Sequence, residues 1–98
     1  MPTEHKLKTL PAYWDAVERG EKTFEVRRDD RGFQKGDVVV LQKYEIGYGY
    51  FPDPSQGKFS WLELRFTVGW ILTGGQFGIE PGYVVFGLVP LGKRGPAA

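Results

Sequence analysis

Between Trp61 and Leu72 the side chains take turns. Leu62, Leu64, Phe66, Val68, Trp70 and Leu72 alternate with Glu63, Arg65 and Thr67. A period of two sorts residues onto opposite sides of a pleated strand, so this stretch predicts a long strand with one buried face. The remainder of the chain offers it company. Val38-Val39-Val40-Leu41 is a β-branched run suited to a strand buried on both sides. Lys22 to Arg28 and Tyr83 to Val89 read as further strands, and His5 to Lys8 as a short edge strand. Asp29-Asp30-Arg31-Gly32, Lys35-Gly36-Asp37, Thr73-Gly74-Gly75 and Pro81-Gly82 punctuate them as turns.

One helix is expected. Pro11 suits the first helical position, Leu10, Tyr13, Trp14 and Val17 follow helical spacing, and Gly20 stands where the chain must turn out of the helix. That stripe is expected to lie against the sheet. Residues 45–60, with Gly47, Gly49, Pro52, Pro54 and Gly57, predict a long loop or loose hairpin tip that exposes Tyr48, Tyr50 and Phe51. The fold class that follows is mainly β with α (α+β): a small antiparallel barrel of about five strands with one early helix.

Size and composition narrow the setting. Ninety-eight residues accommodate one domain, with a core over about 5–90 and a flexible tail over 91–98. There is no cysteine, which excludes thiol catalysis and thiolate metal sites and favours a reducing compartment. The opening Met-Pro-Thr-Glu-His-Lys has no apolar stretch of the kind a secretion signal needs, and no run approaches membrane-spanning length. A cytoplasmic monomer, away from the membrane, is expected. His5 is the sole histidine, too few for a histidine metal cluster, and it reads as a structural or rim residue. No metal or cofactor is expected. Thirteen basic residues face twelve acidic ones, for a net charge of +1, so tight non-specific binding to nucleic acid is disfavoured. Any charged site must be a local patch.

Gly20-Glu21-Lys22-Thr23-Phe24-Glu25-Val26-Arg27 matches G-x-K-x-x-E-x-R. On this motif the chain resembles ASCH domains. It is similar in particular to a small bacterial and phage branch of unknown function, through His5-Lys-Leu-Lys-Thr-Leu-Pro11, Phe33-Gln-Lys-Gly-Asp37, Ile71-Leu-Thr-Gly-Gly-Gln-Phe-Gly78 and Gly82-Tyr-Val-Val85. The resemblance implies a barrel like that of PUA domains, with a cleft between helix and barrel that takes RNA or a nucleotide-like ligand. Lys22, Glu25 and Arg27 are the motif positions it carries over.

The residues themselves support two readings of that motif. Glu25 and Arg27, two apart, share a strand face with Thr23, opposite Phe24 and Val26. A guanidinium oriented by a carboxylate presents donors to a phosphate or a base edge. Alternatively, the pair only pins the corner between helix and strand. Strict alternation sets Lys22 on the other face, unless the backbone after the helix turns it back. Arg28, Arg31 and Lys35, with Lys6 and Lys8 on the preceding segment, either form a basic rim together with Arg27 or are solvated charges interrupted by Asp29 and Asp30. Tyr44, Trp70 and Tyr83 suit packing in a barrel, and Tyr48, Tyr50 and Phe51 suit stacking on a base.

The leading expectation is therefore a module that binds RNA or a modified nucleoside, through Lys22, Glu25, Arg27, Arg28, Lys6, Lys8 and Tyr48. An enzyme is the alternative. The ASCH group includes an amidohydrolase branch that removes the acetyl group of N-acetylcytidine with a lysine, a threonine and a distal glutamate. A lysine beside a hydroxyl is a way to activate a nucleophile. Here Lys22, Thr23 and Glu25 are the catalytic candidates that the resemblance suggests, with Glu63 or Glu80 as a distal acid. Glu25 stands where that branch carries its threonine. Ribonuclease activity is a further alternative, and a protein partner for the aromatic loop is a third.

Overall fold

The computed structural model describes residues 2–91. The tail expected over 91–98 lies, from residue 92 onward, outside the described residues. The elements in chain order are β1 (Glu4–Thr9), α1 (Pro11–Glu18), β2 (Phe24–Arg28), β3 (Val38–Glu45), β4 (Gly49–Tyr50), β5 (Glu63–Thr73) and β6 (Tyr83–Pro90), with a 3-10 turn at Pro54–Gln56. The α+β class holds. Among the described residues no helix is long and apolar enough to cross a membrane.

The strands form one sheet in the order β1-β3-β5-β6-β2, with β4 paired to β3 beside this path. Two features depart from the expected antiparallel barrel. β1 and β3 run parallel, from Glu4 opposite Val38 to Thr9 opposite Lys43. Parallel neighbours need a long crossover, and α1 and β2 together supply it. The barrel is also not closed, because β1 and β2 are the two ends of the strand path and exchange no backbone hydrogen bonds. Side chains span the gap instead: the Arg27 guanidinium on β2 donates to Thr9 Oγ1 on β1 at 3.2 Å.

The core sits inside this curled sheet. Leu7, Val39, Leu41, Val68, Val84, Phe86 and Leu88 point inward from the strands, and Trp14 and Val17 of α1 meet them. Trp14 also donates its indole N–H to the Leu41 carbonyl at 2.9 Å, which satisfies a polar atom that burial would otherwise leave unpaired. The apolar stripe foreseen for the helix thus divides. Trp14 and Val17 are buried, whereas Leu10 and Tyr13 stay largely exposed, because α1 follows the edge strand and only part of its circumference faces the core.

The long strand β5 contains an irregularity. Val68 faces Leu88 and Ile71 faces Phe86, so Gly69 and Trp70 together oppose Gly87. One extra residue reverses the alternation. Ile71 packs against the core in place of Trp70, which is 71% exposed and so is not the packed barrel aromatic that strict alternation implied.

The 45–60 segment is more ordered than a loop. β4 folds back on β3, Pro52 bridges Trp61, and Tyr50 packs edge-on to Tyr44 at 5.0 Å and flat on Trp61 at 5.6 Å. Tyr50 and Phe51 are half-buried by these contacts, leaving Tyr48 as the exposed ring of the expected three.

Candidate functional site

The end of α1 builds the site. Gly20 adopts φ +81°, a left-handed conformation open to glycine. Its N–H donates to the Val17 carbonyl, and those of Glu21 and Lys22 both donate to the Ala16 carbonyl. This Schellman-type wrap folds the chain back over the last helical turn. β2 consequently begins only at Phe24, and Lys22 lies before it, released from strand alternation.

Lys22 therefore reaches the face that alternation denied it. Its Nζ donates to Glu25 Oε2 at 3.1 Å and to the Phe24 carbonyl at 2.6 Å. Arg27 Nε donates to Glu25 Oε1 at 3.1 Å, so the carboxylate is held by a cation on each oxygen. Glu25 is 4% exposed. A carboxylate this buried requires such partners, and each keeps one flank toward solvent. The strand shows its polar set inward and its apolar set outward: Phe24 and Val26 are about half exposed while Glu25 is buried. Thr9 completes the chain of polar groups by accepting from Arg27 and donating its own proton to the Leu7 carbonyl at 3.1 Å.

These groups form one wall of a cleft of about 520 Å³ between the free edges of β1 and β2. Lys8 and Thr9 enter from β1, Leu10 and Tyr13 from the start of α1, and Lys22 from the turn beyond it. The Lys22 ammonium lies 5.8 Å from the centre of the Tyr13 ring and 4.9 Å from that of Phe24. The cleft thus sets two exposed aromatic faces beside a fixed pattern of donors and a carboxylate.

The other expected residues lie elsewhere. Arg28 stacks over Tyr83 at 5.3 Å on the outer side of the sheet. Arg31 approaches Asp30, and Asp29 caps its own turn by accepting from the N–H groups of Gly32 and Phe33; of the expected basic rim, Lys8 and Arg27 line the cleft, and Arg28, Arg31, Lys35 and Lys6 do not. Lys6 lines a separate cavity, and Tyr48 packs on Phe51 outside both. Thr23 borders a third cavity, with Val17, Lys22 and Leu64. Sequence reading missed Thr9, Leu10 and Tyr13 as cleft residues. The Thr9-Leu10-Pro11 stretch was the available signal, since a strand that ends directly at a helix-starting proline leaves its last side chains at the corner.

His5 is structural. It is buried against Phe33, with ring centres 4.7 Å apart, and its Nε2 lies 2.9 Å from Asp37 Oδ2. Burial pushes the Asp37 carboxyl up. The bond from His5, the backbone N–H groups of Gln34 and Thr3 and the charge of His5 together outweigh it, and hold Asp37 below its ordinary value.

The family described as Domain of unknown function (DUF3850) matches residues 4–88. The chain belongs to this DUF3850 family. It is also similar to a protein of Escherichia phage P2 described as "Uncharacterized 12.9 kDa protein in GpA 3'region", with 35% identity over 43 residues. That match takes in 44% of this chain and 39% of the phage protein. Residues 4–88 span β1 through most of β6, so the cleft lies wholly within the DUF3850 region.

Proposed function

We propose that this chain is a binding module for RNA or a nucleoside, of the ASCH type, with its ligand in the cleft between α1 and the edges β1 and β2. The observation that carries the reading is the buried Glu25 carboxylate, held between Lys22 and Arg27 on the wall of a cavity flanked by Tyr13 and Phe24. A nucleobase has a flat apolar face and an edge of donors and acceptors. Aromatic rings serve the first, and a charged group held in one orientation serves the second. Lys8 and Lys22 at the mouth add cations for a phosphate.

Binding accounts for the geometry better than hydrolysis by Lys22, Thr23 and Glu25. Thr23 borders a different cavity, which Lys22 also lines and Glu25 does not, and the hydroxyl that does lie in the cleft, Thr9 Oγ1, directs its proton to a backbone carbonyl rather than to a base. The reading is tested by NMR titration of the labelled domain with short single-stranded RNA, cytidine and N-acetylcytidine. Shifts should concentrate at Thr9, Tyr13, Lys22, Glu25 and Arg27. Unmoved amides with all three ligands would overturn it, and loss of the acetyl signal with time would replace it by the amidohydrolase reading.

A further inference from the structure

The side of the sheet turned away from the core carries a second cavity, of about 570 Å³. Strand register sets Lys6, Val40 and Arg65 in one row across the sheet and Lys8, Gln42 and Glu63 in the next. On β1 the exposed positions alternate with the buried ones, so Lys6 and Lys8 share this outer side. The cavity lies over these rows, and the segment that bears Asp53, Phe59 and Trp61 walls it.

A file of aromatic rings joins this cavity to the cleft. Lys8, on the cleft wall, holds its ammonium 4.7 Å from the centre of the Tyr44 ring. Tyr44 meets Tyr50 at 5.0 Å, and Tyr50 stacks on Trp61 at 5.6 Å with 24° between the planes. Trp61 is already a wall of the second cavity. All three rings are half-buried: the sheet holds each in place and leaves part of it in contact with solvent. Beyond them Phe59 stands 85% exposed with φ +61°, a left-handed conformation unfavourable for any residue with a side chain. A ring held out of the core in strained backbone, over a cavity, is placed for contact with something outside the chain.

We infer that the ligand is a single-stranded oligonucleotide, which leaves the cleft at Lys8, crosses Tyr44 and Tyr50, and sets a base into the second cavity beside Trp61. The inference rests on the reading of the cleft given above. Bases stack on such rings whatever their identity, and cations two apart on one side of a strand, about 7 Å from each other, follow a sugar–phosphate backbone. Lys6 and Lys8 have this spacing, and among the described residues neither takes part in an ion pair. Two cations, Lys6 and Arg65, and two carboxylates, Glu63 and Asp53, line the cavity, and Arg65 is paired with Glu4 at 3.3 Å. Glu63 accepts from the Gln42 amide at 2.7 Å, which fixes its direction, and Asp53 is close by. Carboxylates turn a phosphate away and accept from the exocyclic amino group of a base. Phosphates accordingly remain at the Lys6 and Lys8 rim while a base enters. A duplex is excluded, because its bases present no free face to the rings.

The test measures the affinity of the full chain for 5′-labelled homo-oligomers of A, C and U ribonucleotides, one, two, four and six long. Affinity should rise by at least about tenfold from one to four nucleotides for one or more bases and then level off. Lys6→Ala and Tyr44→Leu should each weaken the four-mer about threefold or more and leave the mononucleotide unchanged. A four-mer that binds no tighter than its mononucleotide, or that ignores both substitutions, overturns the track and leaves the cleft reading standing. Failure of every oligomer and mononucleotide to bind overturns the cleft reading and this inference with it.

Discussion

Arg27 of β2 donates to the hydroxyl of Thr9 on β1, so two edge strands that share no backbone hydrogen bond are joined through side chains. Both residues line the cleft. A closed ladder there would fill the space with paired backbone, and a wide gap would leave Glu25 in water. A side-chain link across two free edges does neither, which leaves a cavity whose polar groups have fixed positions.

Thr9→Val tests that link. Valine keeps the shape and removes the acceptor, so Arg27 loses one partner and keeps Glu25. The expected cost is about 1 kcal/mol, or a fall of roughly 4–8 °C in Tm for a domain of this size. Amide exchange should accelerate at β2 more than at β3, since β2 has a neighbour on only one side.

Glu25→Gln acts on the pair of cations. The amide retains one acceptor and loses the charge that balances Lys22 and Arg27. Because both cations have some access to water, the loss should be about 1–3 kcal/mol rather than the larger cost of stranding a deeply buried ion. Chemical denaturation measures it. Glu25→Ala should cost more, and the same variant should abolish the NMR shifts that a nucleoside induces in the wild type.

Asp37 predicts an acid-sensitive corner. Its carboxyl is held below the ordinary carboxylate value by His5 and the N–H groups of Gln34 and Thr3, in spite of its burial. A group with a depressed folded pKa contributes stability that is fully present above its unfolded pKa and is lost as pH falls through the folded value. The contribution of Asp37 is therefore complete at neutral pH and declines below about pH 4. Asp37→Asn should lower Tm at pH 7 and flatten the dependence of Tm on pH between about 4 and 2. An unchanged slope would assign the acid limb to other carboxylates.

Gly74 and Gly75 separate two reasons for a glycine. A Cβ at Gly74 falls within van der Waals overlap of the Glu80 and Tyr83 carbonyl oxygens, where the turn after β5 closes on the start of β6. At Gly75 a Cβ meets nothing, and only φ +87° opposes it. Gly75→Ala should cost about 1–2 kcal/mol. Gly74→Ala should cost more than that, about 1–3 kcal/mol for overpacking and beyond if the backbone cannot move. Thermal unfolding of the two variants side by side checks the order.

Local chemistry alone determined a good deal of this protein. Pro11 and Gly20 bound the helix, because one has a preset φ and no N–H to lose and the other tolerates a left-handed backbone. Val38 to Leu41 announced a strand covered on both sides, and Gly20-x-Lys22-x-x-Glu25-x-Arg27 marked the residues that line the cleft wall. Each of these signals is short in range. What the tertiary structure decided was how the pieces meet. The parallel pairing of β1 with β3 depends on a crossover that no local pattern encodes. The bulge at Gly69 and Trp70 is a single extra residue against Gly87, visible only once β6 is in place, and it moves Trp70 from the core to the surface. Lys22 joins Glu25 because the turn after α1 wraps back on Ala16, which suspends the alternation that a strand would impose. The cleft exists because the two ends of the sheet approach without pairing, and the distance between ends of a chain path is set by the packing of every strand between them.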